Sequence, residues 1–138
     1  MVETPKHVRG VDLVLNAFGC WPSFHDARIE GVRLDKSGAG AVMFKLRAFE
    51  MTSETDARGY FRLTKHHDVR FRFEDVAAVS MSERDDTLLR LQIANELGSD
   101  GRFLVVLESA IGTESEGYGG SFRARSGVVL DVIPTAGE

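Results

Sequence analysis

Trp21-Pro22-Ser23-Phe24-His25-Asp26-Ala27 is the stretch on which the fold turns. It holds the only tryptophan, and the only cysteine, Cys20, precedes it. Pro22 restricts Trp21 to an extended conformation and has no backbone N–H to donate. Two large apolar side chains, Trp21 and Phe24, flank small Ser23. The pattern is helical before this stretch and strand-like after it. The stretch is therefore expected to be a corner, with Trp21 and Phe24 anchoring a helix onto a sheet.

Upstream, Val11, Val14, Leu15 and Phe18 recur at helical spacing and make one stripe. Asp12 suits the first turn, where a negative charge meets the positive end of the helix dipole. Gly19 follows the last stripe residue, where a left-handed residue ends many helices. So short a helix needs a surface to pack on. Residues 1–9 form a polar arm.

Downstream the period changes to two. Ile29 and Glu30 alternate, Gly31 sits at a break, and Val32 and Leu34 continue in the opposite register, which predicts a β-bulge. Ser37-Gly38-Ala39-Gly40 is a turn. Val42, Phe44, Leu46 and Ala48 then share one face, and Lys45 and Arg47 the other, so a hairpin is expected. Residues 52–59 are assigned to a polar loop and Lys65-His66-His67-Asp68 to a turn, with a short strand from Tyr60 to Leu63 between them. Val69, Phe71 and Phe73 alternate with Arg70, Arg72 and Glu74. A bend and a short strand are expected over 75–81, then a charged turn over 82–86. Leu89, Leu91 and Ile93 alternate, and Gly98-Ser99-Asp100-Gly101 is a turn. Phe103 to Leu107 is apolar throughout, as in a strand covered on both faces. Gly112 to Gly120 is assigned to a loop. Phe122 and Ala124 alternate, Gly127 breaks the register, and Val128, Leu130 and Val132 resume it before Pro134 and a polar tail, 134–138.

The pattern predicts an antiparallel β-sandwich or partly open barrel of about seven or eight strands with one short N-terminal helix. No strand–helix–strand alternation supports a doubly wound fold. The 138 residues fit a single domain. A chain of this length buries roughly two thirds of its unfolded surface and needs no disulfide or metal for stability. One cysteine permits neither an intramolecular disulfide nor a cysteine-rich zinc site. The net charge of −4 argues against non-specific nucleic-acid binding. No apolar run approaches the roughly 20 residues of a membrane-spanning helix, and no signal-peptide pattern opens the chain. A soluble cytoplasmic protein is expected.

Chemistry has few places to sit. His25 and Asp26 are half of a catalytic pair if a turn brings them together. The simpler reading has Asp26 accepting backbone N–H bonds at the corner and His25 satisfied and partly buried. His66-His67 lacks the spacing of a metal motif, so no metal and no cofactor are expected. Cys20 has no activating neighbour in sequence and is expected to pack as a small apolar group. Ser23 lacks a nucleophile-elbow context. Arg62, Lys65, Arg70 and Arg72 make residues 58–72 locally basic. This is either a solvated face or a face that steers a charged protein partner.

A helix ending Ala17-Phe18-Gly19, the Trp21-to-Ala27 corner and the Ile29-to-Asp35 hairpin strand together resemble the Immunity protein 50 family, predicted immunity proteins of bacterial polymorphic toxin systems. Phe71 and Phe73 leading into Glu74-Asp75-Val76, an apolar strand ending near Gly112, and Phe122-Arg123-Ala124 are similar as well. The resemblance implies a mostly β cytosolic protein that is not an enzyme and neutralises a cognate protein toxin by occlusion. It carries no catalytic residue onto this chain. Trp21, Pro22, Ser23, Phe24, His25 and Asp26 are its motif, and their packing role is the favoured one. Two other readings stand beside it: a small-ligand or enzymatic site near His25 and Asp26, and a homodimer formed through a sheet edge.

Overall fold

In a computed structural model, the described residues are 3–25, 27–55, 59, 61–81, 86–109 and 118–135, with the backbone alone described at 50–55, 61–65, 81, 86–90, 109 and 118–119. The elements run β1 (Val8–Arg9), α1 (Val11–Phe18), β2 (Arg28–Asp35), β3 (Ala41–Thr55), β4 (Phe61–Glu74), β5 (Ala77–Met81), β6 (Asp86–Ile93), β7 (Phe103–Ser109), β8 (Tyr118–Ala124) and β9 (Ser126–Pro134). Among the described residues, nine strands lie in the order β1-β9-β4-β3-β2-β6-β7-β8-β5. All neighbours are antiparallel except β1 and β9, which run parallel. Among the described residues, two residue pairs join β2 to β6, Arg28 with Thr87 and Ile29 with Asp86. The strands fall into two layers on either side of that short junction, and they do not close into a barrel. This is a β-sandwich, with one strand more than the upper expectation.

The core is aromatic. Phe73 on β4 makes edge contacts with Phe103 on β7 and Phe122 on β8, ring centroids 6.2 and 5.2 Å apart. It also lies beside Phe44 and Phe71 of its own layer. The inward set Val42, Phe44, Leu46 and Ala48 is buried, as period-2 alternation predicts. The bulge falls between Glu30 and Arg33, at Gly31. Helix α1 buries Val14 and Phe18. The Gly19 N–H closes it with a 2.8 Å bond to the Leu15 carbonyl. At its start Gly10 has φ 78, and a Cβ there would lie 2.7 Å from the Val129 carbonyl oxygen, so close approach and backbone conformation both require glycine.

Several sequence expectations are corrected. Residues 52–55 belong to β3, not to a loop, while 56–58 lie outside the described residues. Lys65-His66-His67-Asp68 is not a turn but the middle of β4, which runs unbroken from Phe61 to Glu74. His67 is paired on both sides, with Ala48 and Pro134, and its ring packs 5.2 Å from Phe18. Polarity misled here because antiparallel sheets carry polar residues such as Asp68 on their solvent side, and because His67 turns inward with its ring packed on Phe18. Asp86 begins β6 instead of ending a turn, and residues 118–120 belong to β8. The expected turn over 82–85 and loop over 112–117 lie outside the described residues. Strand β7 is covered on one face only: Phe103, Val105 and Leu107 are fully buried, whereas Leu104 is 40% exposed. Cys20 is exposed and does not pack. The polar arm is docked: Val8 is buried beside Gly127, and His7 stacks on Phe103 at 5.6 Å.

The register break at Gly127 has a steric origin. At Arg125 the chain leaves one layer and enters the other, so β8 and β9 are consecutive in sequence yet belong to different layers. A Cβ at Gly127 would sit 2.7 Å from two ring carbons of Phe73 and 3.3 Å from a Val8 methyl group. The Phe73 ring is held by four other rings and has nowhere to go. Gly127→Ala is expected to cost about 1–3 kcal/mol through overpacking, read as a lower urea midpoint. An unchanged midpoint would show that the core beside Gly127 yields freely.

Candidate functional site

The corner bridges the two layers. Trp21 and Phe24 are each 3% exposed and meet edge to face at 5.7 Å. Both also contact Phe71 of β4, at 6.2 and 6.0 Å. Their rings thus lie on one layer, while the Leu91 N–H of β6 donates to the Ser23 carbonyl at 3.0 Å and ties the corner to the other. Phe24 adopts φ 60, and its carbonyl accepts the Ala27 N–H at 3.1 Å to close the turn. A left-handed phenylalanine costs about 1–3 kcal/mol, which the burial of its ring offsets. The Ser23 hydroxyl accepts the His25 N–H at 3.3 Å, so this serine organises the turn. Pro22 is half-buried. His25 is exposed rather than partly buried, and Asp26 lies outside the described residues. A surface cavity of about 450 Å³ lies beside the corner, lined by Ser23, Gln92, Asn95, Leu104 and Val106 among others, and His25 does not line it. Among the described residues no three histidine, cysteine, aspartate or glutamate side chains converge as metal ligands, and no helix is long and apolar enough to cross a membrane.

The outward face of the first layer is the second candidate. Its strand register builds rows that run across the strands. One row is Arg28, Arg47, Asp68 and Ile133; the next is Glu30, Lys45, Arg70 and Asp131. The third is Arg33, Met43, Arg72, Val128 and Arg9. Within the first two rows the charges pair. Arg47 bonds Asp68 at 3.2 Å, Lys45 lies 3.4 Å from Glu30, and Arg70 grips both oxygens of Asp131. That fork holds Asp131 below the usual carboxylate range and raises Arg70. Arg72 is 3.5 Å from Glu74 and donates to the Met43 sulfur at 3.2 Å. Of the basic residues singled out from sequence, Arg70 and Arg72 share this face, while the side chains of Arg62 and Lys65 lie outside the described residues. Sequence reasoning missed Arg9, Arg33 and Asp131 as members of the face. Alternation assigns a residue to a side of its own strand, but only register brings positions this far apart into one row.

A third cluster braces the point where the chain crosses between layers. Arg102 donates to the Asp75 carboxylate at 2.8 Å and to the Asp75 carbonyl at 2.9 Å, and Arg125 donates to the other Asp75 oxygen at 2.6 Å. Asp75 sits at φ 54, a conformation aspartate tolerates better than most residues. Bonds from Arg102 and then Arg125 hold its carboxyl below the ordinary range. Loss of solvent pushes Asp100 up, but the Arg102 N–H and the Arg123 and Arg102 guanidinium groups more than offset this and hold it at about 2. Both carboxyls have folded values below the unfolded value of about 4, so their contribution is complete above that pH and is lost as pH falls below it, for Asp100 toward about 2. The melting temperature of Asp75→Asn/Asp100→Asn is expected to lie below wild type at pH 6, with the gap shrinking as pH falls from about 4 toward about 2. A constant gap over that range would contradict the assignment.

No family model matches the chain, and no curated protein or solved structure matches it.

Proposed function

We propose that this protein works by binding another protein and covering a surface that partner needs, as an immunity protein neutralises a cognate bacterial toxin in the cytoplasm. The observation that carries the reading is the outward face of β2, β3, β4 and β9, a broad sheet surface of ordered, mutually paired charges. Such mosaics set partner choice and on-rate, since a complementary field attracts and a mismatched one repels. The resemblance at the Trp21-to-Ala27 corner points the same way. The corner's buried rings serve the fold, which leaves the binding role to the exposed face. This reading involves no catalysis.

The test is co-expression with the product of the neighbouring reading frame. Growth arrest by that product alone, relieved when this protein is present and accompanied by a co-purifying complex, is the expected result. A neighbour that is harmless, or arrest that persists, would remove the reading.

A further inference from the structure

The third row of the outward face differs from the other two. The second row balances its own charges, with Lys45 against Glu30 and Arg70 against Asp131. The third reads Arg33, Met43, Arg72, Val128, Arg9 and contains no acid. The row beyond reads Asp35, Ala41, Glu74 and Ser126. Glu74 is shared between Arg72 at 3.5 Å and Arg9 at 3.7 Å, and the charge of Arg72 also acts on Asp35. Arg33 is exposed and has no ion-pair partner among the described residues. A chain of net charge −4 thus carries a cationic stripe with apolar residues between its arginines.

We propose that this stripe is the docking line for an acidic segment of a protein partner, one with carboxylates spaced to meet alternate strands and apolar side chains between them. The proposal rests on the binding reading above and specifies its surface. Strands stand about 4.8 Å apart, so Arg33 and Arg72, two strands apart, are about 10 Å apart, and Arg9 lies about 10 Å further on. Seven residues of α-helix rise about 10.5 Å, so a helix with one glutamate per heptad matches the period. Arginine and methionine are enriched at the centres of protein interfaces, and guanidinium groups bind carboxylates in a fork. The same features disfavour nucleic acid as the occupant. The stripe is one row wide, and its cations are separated by Met43 and Val128. The rows on either side present Glu30 and Asp131, and Asp35 and Glu74, which repel a continuous polyanion but leave room for single carboxylates spaced about 10 Å apart along the stripe.

The test uses the full chain labelled for NMR. The probe is a synthetic helical peptide with one glutamate per heptad flanked by leucine and alanine. The controls are a peptide of the same composition with its glutamates contiguous, and a short single-stranded oligonucleotide. The patterned peptide is expected to shift the arginine side-chain resonances of Arg33, Arg72 and Arg9 together, more strongly than either control. Arg33→Glu and Arg33→Gln are each expected to weaken it, the reversal by about tenfold. Lys6→Glu, on the docked arm, is expected to leave it unchanged, and all three variants should keep the wild-type melting temperature. Raising ionic strength from about 0.05 to about 0.5 M should weaken binding further. No shift along the stripe, equal response to the two peptides, or tighter binding of the oligonucleotide would each overturn the proposal. Its failure is separable from that of the immunity reading. A co-expressed toxin bound equally well by wild type and Arg33→Glu removes the stripe but keeps the function. Patterned-peptide binding at the stripe with a harmless gene neighbour does the reverse.

Discussion

Trp21→Ala is expected to lower the unfolding free energy by about 3–5 kcal/mol, the range for removing a large buried aromatic side chain. The indole fills the join between helix, corner and sheet and touches both Phe24 and Phe71. Its loss leaves a cavity bounded by rings that β4 and the corner turn hold in place, so collapse is limited. It also removes one of the ring contacts that compensate the left-handed Phe24, leaving those with Phe18 and Phe71. A urea melt monitored by circular dichroism reads the effect. A shift below about 1 kcal/mol would mean that the corner does not hold the layers together.

Phe73→Ala is expected to have an effect of the same size, about 3–5 kcal/mol, for a different reason. Phe73 is fully buried and is the ring that joins the layers, touching Phe103 and Phe122 across the core and Phe44 and Phe71 beside it. Phe73→Leu keeps most of the volume and should cost less than half as much. The two alanine variants share a neighbour, because Trp21 and Phe73 both contact Phe71. The double variant should therefore depart from additivity by about 0.5 kcal/mol or more. Strict additivity would show that the corner cluster and the inter-layer cluster are energetically separate.

Much of this architecture was legible in the residues. The stripe from Val11 to Phe18 gave α1, and the alternations at Val42 to Ala48 and Val69 to Phe73 gave the central strands. Gly31 marked the bulge, and the two aromatic residues of the corner were expected to be its anchors. The failures share a physical cause. Residues 52–55 and 65–68 are polar, and polarity reads as loop, yet a strand with one wet face carries polar residues at every second position, and an inward histidine such as His67 can pack its ring on an aromatic neighbour. The exposed Leu104 failed in the opposite direction, because an apolar run does not say how many of its faces are covered. Gly127 was noticed as a break, but its cause, the Phe73 ring 2.7 Å from where a Cβ would lie, is a contact across 54 residues of chain. The candidate binding face was half legible. Arg70 and Arg72 stood out by local composition, whereas Arg33 and Arg9 joined them only through register.

The corner builds the fold; on the proposed reading the outward sheet face binds, and the protein acts as a stoichiometric blocker. The most direct measurement titrates the purified protein into a fixed amount of the purified product of the neighbouring gene while that product's toxic activity is followed. Activity that falls linearly and reaches zero at one equivalent is the predicted result. Complete loss of activity at a small fraction of an equivalent would identify catalytic inactivation and contradict occlusion.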